Sequence, residues 1–244
     1  GVDWVFNGWG AQEWATWEHD ARVGEFVAGR SGATRVASEL VNEGGGIHVD
    51  GEGTVLLTET VQRDERRNPG IDRATVEAEL ARTIGSETAI WLPRGLTRDY
   101  EEFGTNGHVD IVATFAAPGR VLLHDQQNPD HPDHAVTRDL AALLRGHQDA
   151  AGRDLEIVSL PAPETLHDAD GIVDWSYVNH LVVNGGVIAC GFGEPHADAI
   201  ARGILEDAYP DRTVVTVDAR PIFARGGGIH CITQQQPALT SRQA

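Results

Sequence analysis

Neither lysine nor methionine occurs anywhere in the 244 residues. The first absence excludes a Schiff-base lysine, a phosphate-loop lysine and a lysine general base, and makes every one of the 19 Lys-plus-Arg positions an arginine. The second, in a chain that opens at Gly1, leads to the expectation that the translation start and an upstream segment lie outside this sequence. Cysteine is confined to Cys190 and Cys231. That is too few for a disulfide scaffold or a Cys-rich zinc module, and it predicts a reducing compartment. No run of about 18 apolar residues is present to span a bilayer, and no basic leader with an apolar core. The expectation is a soluble, cytoplasmic protein with no membrane partner. Positive charge is scarce: the net charge of -18 repels phosphate backbones, and no basic stripe offsets it, so no nucleic-acid partner is expected. The same charge would draw in a small cation, although it also serves solubility alone.

What is present is a repeat. Apolar alternation from 46 to 60 around Asp50-Gly51-Glu52-Gly53 predicts two strands joined by a glycine turn. Asp72 is a candidate N-cap for a helix over 73–84, with Val76, Leu80 and Ile84 on one face and Gly85 as its stop, and 88–92 then reads as a strand. The order returns with strands at 108–115 and 120–124, a helix around 136–147 and a strand at 155–160. It returns again with strands at 177–183 and 187–192, a helix from Pro195 to Tyr209 and a strand at 213–217. Three strand-strand-helix-strand units predict a cyclic α/β repeat within one domain, 1–244, with residues 1–39 closing an earlier unit and Gly226 opening a later one. Residues 94–103 and 161–176 are the expected exposed loops.

Chemically able residues sit beside glycine clusters at corresponding points of these units: Glu43 before Gly44-Gly45-Gly46, His108 and Asp110 after Gly107, and Cys231 after Gly226-Gly227-Gly228. In a ring of repeats such points face a common centre. Paired carboxylates grip a planar guanidinium through charge-assisted hydrogen bonds that an ammonium cannot match. Its carbon is a poor electrophile, and a thiolate is the strong nucleophile it needs.

The stretch Gly226-Gly-Gly-Ile-His-Cys-Ile-Thr-Gln-Gln-Gln-Pro237 resembles the nucleophile motif of the agmatine deiminases within the bacterial peptidylarginine-deiminase-like family. Trp4 to Gly10, Glu43 to Gly53 with Arg67-Asn68-Pro69, and Trp91 to Leu96 with Thr105 to Asp110 agree with it in order. The resemblance implies a pseudo-five-fold α/β propeller of strand-strand-helix-strand units, lacking its N-terminal portion here. It also implies Cys231 as nucleophile, His108 as acid/base, and Asp110 and Glu43 as the carboxylates at the guanidinium and the histidine. It implies neither a metal nor a cofactor, and a small cationic guanidine as the ligand, agmatine first, with arginine, peptidyl-arginine or another guanidine as alternatives. A further guanidinium-binding Asp in a Trp-x-Arg-Asp motif would fall upstream of Trp4. A complementary N-terminal segment or a second copy is accordingly expected as a partner.

Other readings stand beside these. Cys231 could be a small buried hydrophobe, the reading adopted for Cys190. Glu43 could merely cap a turn, and His48 with Asp50, which repeat the spacing of His108 and Asp110, read as structural. His131-Pro132-Asp133-His134 reads as a solvated helix start, and the tryptophans from Trp4 to Trp17 as core packing or an aromatic wall. Rival functions are a thiol amidase, a metal hydrolase using His108, Asp110 and His230, and a non-catalytic fragment.

Overall fold

The computed structural model describes residues 1–237. The chain opens with β1 (Val2–Val5), a single turn α1 (Gly8–Ala11), α2 (Val23–Ser31) and β2 (Val36–Val41), and β1 pairs with β2 in parallel. The first full unit is β3 (Ile47–Val49), β4 (Thr54–Thr58), a short α3 (Glu59–Gln62), α4 (Arg73–Ile84) and β5 (Thr88–Leu92). The second is β6 (Ala113–Ala117), β7 (Arg120–Asp125), α5 (Asp133–Leu144) and β8 (Glu156–Pro161). A two-residue hairpin, β9 (His167–Asp168) and β10 (Gly171–Ile172), leads to the third: β11 (Leu181–Val183), β12 (Gly186–Gly191), α6 (Pro195–Ala208) and β13 (Thr213–Asp218), followed by a turn of helix, α7 (Arg220–Phe223).

Each unit forms its own three-stranded sheet of one pattern, the first two strands antiparallel and the third parallel to the second. The helix is the crossover that a parallel pair requires. Each helix also packs on the last strand of the unit before it: α4 on β2, α5 on β5 and α6 on β8. The periodicity shows why. In α6, Ala197, Ala201, Leu205 and Ala208 form one buried stripe, and in α4 Val76 and Leu80 do the same. The apolar residues gather into a large core around Leu122, Leu160, Tyr177 and Phe192, which Leu56, Ile90 and Leu92 of the first unit also enter, and a smaller one around Val55, Leu57, Leu80 and Trp91.

Local signals placed α4 correctly. Asp72 accepts from the Thr75 amide at 2.8 Å and Gly85 takes the left-handed cap. Other expectations are corrected. The strand expected over 108–115 begins only at Ala113, because His108 leads into a 3₁₀ turn at Val109–Ile111. The strand expected over 177–183 shrinks to Leu181–Val183, with Ser176 and Asn179 folded into a fully buried turn. Neither expected loop is simply exposed: Leu96 and Asp99 are buried in one, Val173 and Ser176 in the other.

The helix start at 131–134 is real but not solvated. His131 and Asp133 are buried, the His131 ring donates to the Val173 carbonyl, and Asp133 accepts from both the amide and the hydroxyl of Thr97. Trp4 packs on the smaller core, whereas Trp9 stacks on Trp14 at a centroid distance of 5.3 Å, and Trp14 meets Phe103 edge-on at the surface. No helix among the described residues is long and apolar enough to cross a membrane.

Candidate active site

Glycine-rich turns present the four singled-out side chains. Glu43 leaves β2 in an extended conformation just before the 3₁₀ turn Gly44–Gly46, and its carboxylate does not cap that turn. It reaches instead to Arg67, whose Nε donates to Oε1 at 3.0 Å, and to His108, whose Nε2 lies 3.0 Å from Oε2. A carboxylate flanked by an arginine and an imidazole accepts from both, so Nε2 carries hydrogen and Nδ1 is the nitrogen left for proton exchange. Arg67 is itself buried and divides its donors among Glu43, the Thr105 carbonyl at 2.8 Å and Asp64 at 3.3 Å. This engages all three guanidinium nitrogens and fixes the carboxylate that orients His108.

His108 Nδ1 faces Asp110 Oδ1 at 4.0 Å, beyond hydrogen-bond range. The other Asp110 oxygen is crowded: His230 Nδ1 donates to it at 2.8 Å and the Cys231 thiol at 3.3 Å. Asn179 completes the cage, its Nδ2 3.2 Å from Cys231 Sγ and its Oδ1 accepting from the His230 amide at 2.9 Å. The imidazole and the thiol thus stand on opposite oxygens of one buried carboxylate. Asp110 Oδ1 is buried with no hydrogen-bond partner in the protein. Burying a carboxylate oxygen unpaired is costly, and such an oxygen is a ready acceptor for a cationic ligand. Gly45 closes over this point: a Cβ there would sit 2.6 Å from both Asp110 Oδ2 and His108 Nδ1, so only glycine lets the backbone approach.

The charges are set by this packing. Burial alone would push the Glu43 carboxyl up, but its bond to His108, the His108 charge and Arg67 together bring it below the usual carboxylate range. Burial would likewise push His108 down, yet the bond to Glu43, with the charges of Glu43, Asp110 and Asp99, raises it above an ordinary imidazole. Asp110 is brought down against its burial chiefly by the hydrogen bond and charge of His230. Cys231 is an exposed residue, but its sulfur is hemmed in by Asp110 and Asn179. Burial of the sulfur, reinforced by the Asp110 charge, pushes its pKa well up, so the thiol is protonated in the free protein.

The remaining sequence candidates fall elsewhere. Cys190 is buried, donates to the Asn179 carbonyl at 3.1 Å and is pushed up to about 12 by burial. His48 accepts from the Phe115 amide and bonds Thr114, and Asp50 caps its glycine turn through the amides of Glu52 and Thr54. Three further residues belong to the site: Asn179, on which the sequence is silent, Arg67, which the sequence offers only within the Arg67-Asn68-Pro69 stretch, and His230. His230 adjoins Cys231 and had been weighed only as a metal ligand, and no cluster suited to a metal ion occurs among the described residues. A cavity of about 510 Å³ lies apart from all of these between α5 and strands β7 and β8, where Arg138, Arg145 and Ser159 are among the residues that line it. None of the site residues named above lines it.

Fold and site together place the chain among α/β repeat proteins that bring a thiol, an imidazole and carboxylates to one point on glycine turns. Within that class it belongs to the Porphyromonas-type peptidyl-arginine deiminase family, whose pattern it matches over residues 1–237. It is 60% identical over 237 residues to a Streptomyces coelicolor protein provisionally named an agmatine deiminase, covering 97% of this chain and 70% of that one. It is 40% identical over 260 residues to the agmatine deiminase of Stutzerimonas stutzeri, covering 98% and 69%. Among solved structures it resembles the agmatine deiminase of Enterococcus faecalis with a TM-score of 0.89 at 33% identity, covering 97% of this chain and 69% of that one.

Proposed function

We propose that the chain hydrolyses a guanidinium group, that of agmatine first, to N-carbamoylputrescine and ammonia through a covalent intermediate on Cys231. The observation that carries this reading is the unpartnered Asp110 Oδ1, a buried anionic acceptor that faces the His108 imidazole on the same carboxylate whose other oxygen accepts from the Cys231 thiol. A planar cation satisfies it, and a neutral amide does not need it. Burial and then the Asp110 charge hold the thiol protonated, and arrival of that cation offsets the charge, so substrate binding favours the thiolate and the thiol proton leaves to solvent. The thiolate attacks the guanidinium carbon. Protonated His108 gives its proton to the departing ammonia, leaving a thiouronium. Neutral His108 then takes a proton from water, whose attack on the same carbon releases the ureido product and regenerates the sulfur.

The same reading takes the three sheets as blades of a pseudo-five-fold propeller, supported by their common strand order and by each helix resting on the strand of the preceding unit. Two surfaces support the partner that accompanies it, a complementary segment or a second copy. Among the described residues β1 pairs with β2 alone, and β13 leaves Val215 and Val217 exposed. Ammonia release from agmatine, arginine, a peptidyl-arginine and simple alkylguanidines tests the function. Agmatine giving the highest kcat/KM is the expected result, and no release from any guanidine overturns it.

A further inference from the structure

The loop before His108 is bent as few backbones are. Phe103, Asn106 and Gly107 all take positive φ, at 66°, 67° and 103°, and two of these are not glycine. What holds this conformation is Asp99, a fully enclosed side chain seven positions upstream of Asn106. Its Oδ1 accepts from the Thr105 amide at 2.7 Å, and its Oδ2 accepts from the Thr105 hydroxyl at 2.6 Å, the Gly107 amide at 2.8 Å and the His108 amide at 2.9 Å. Every donor is neutral. Arg98 beside it turns away to Asp168, so among the described residues no cationic side chain bonds the Asp99 carboxylate.

We propose that Asp99 is a positioning residue for His108, its carboxylate gathering the amides of Thr105, Gly107 and His108 into one turn and standing as a further buried anion beside the imidazole. This rests on the reading of His108 as the acid and base of the reaction. A buried carboxylate without a cation is costly, and burial holds its pKa above the ordinary range. The nearby charge that favours its ionised form most is protonated His108, and by reciprocity an ionised Asp99 favours the imidazolium. The other groups facing His108 are Glu43 with Arg67 behind it on the Nε2 side, and Asp110 with His230 and Cys231 on the Nδ1 side. Asp174 feels the Asp99 charge as well and is itself raised to about 7, first by burial and then by that charge. Asp99 therefore acts on both the place and the proton of His108, without touching the reacting atoms.

The test is the titration of His108 by NMR on the histidine-labelled chain, its signal assigned by loss in His108→Asn. Asp99→Asn is expected to lower its midpoint by about one pH unit, a roughly tenfold loss of proton affinity. The kcat for guanidine hydrolysis is expected to fall about 100-fold with KM changed less than about threefold, and the alkaline limb of the kcat profile to move down with the midpoint. Asp99→Ser, smaller and equally neutral, repeats the measurement where the asparagine amide, meeting three N–H donors, prevents folding. A His108 midpoint unmoved in a folded variant overturns the proposal. The titration needs no turnover: a moved midpoint in a chain that releases no ammonia sinks the deiminase reading alone, whereas ammonia release with an unmoved midpoint sinks this one alone.

Discussion

His48 and Asp50 have the same spacing as His108 and Asp110, the same intervening valine, and a glycine cluster close by. In the first pair the histidine lies in β3, where pairing with β4 fixes the backbone, and the ring is used up by Thr114 and the Phe115 amide. Burial, with His230 adding to it, pushes His48 down to about 3, so it stays neutral. Asp50 spends one oxygen on the amides of its own turn and, like Asp110, leaves the other buried without a partner, so the open oxygen does not by itself separate the two pairs. In the second pair the backbone breaks into a 3₁₀ turn, His108 is held by a carboxylate and raised, and one oxygen of Asp110 faces the imidazole with nothing to accept from. The lesson is that a His-x-Asp spacing gives a raised imidazole where a charged partner, rather than a sheet, fixes the ring.

The sharpest way to break this comparison is to exchange the fates of the two histidines. His108→Asn is expected to lower kcat at least about 1,000-fold, and Cys231→Ala to abolish turnover, in an ammonia-release assay. His48→Asn should keep turnover within about tenfold while costing about 1–2 kcal/mol in urea denaturation, since it loses buried hydrogen bonds only. Equal losses at both histidines would end the distinction.

Glu43→Gln comes next, with an expected fall of about 100-fold in kcat, and it has a stability signature. The contribution of Glu43 is complete above its ordinary value of 4.5 and lost as pH falls through its lowered folded value, whereas that of His108 is complete below 6.5 and lost as pH rises through its raised folded value. The stability gap between wild type and Glu43→Gln should therefore be widest between about 4.5 and 6.5 and close on either side. A gap that keeps widening above that window would deny the pair its coupling.

The two cysteines offer a gentler version of the contrast. A haloacetamidine, which brings a guanidinium-like cation and a leaving group, should label Cys231 and spare Cys190, whose thiol is buried and raised to about 12. Peptide mapping that finds the label on Cys190 would reverse the choice of nucleophile. The smallest effect belongs to a place outside both pairs. Asp72→Ala removes the cap of α4 and should lower the melting temperature by a few degrees with turnover unchanged, measured by circular dichroism and ammonia release.

Much of the framework was legible because its signals are local. Asp72, Gly85 and the Val76 and Leu80 stripe define α4, and Pro195 with its alanine and leucine stripe defines α6, whatever the rest of the chain does. The strand expected through His108 failed for the opposite reason: its apolar alternation is real, but Asp99 captures the amides that a sheet would have used. Asp99 itself has no local mark: it lies seven positions before Asn106 in a segment expected to be exposed.

The sequence by itself determined the repeat, its crossover helices and the residue types able to do the chemistry, because turns, caps and periodicity depend on neighbours within a few positions. Only the tertiary structure decided which of two His-x-Asp pairs carries charge, that Arg67, Asn179 and His230 join the site, and that an oxygen of Asp110 is left open. Those outcomes depend on burial and on contacts between residues as far apart as Asp110 and Cys231, and neither is written in local order.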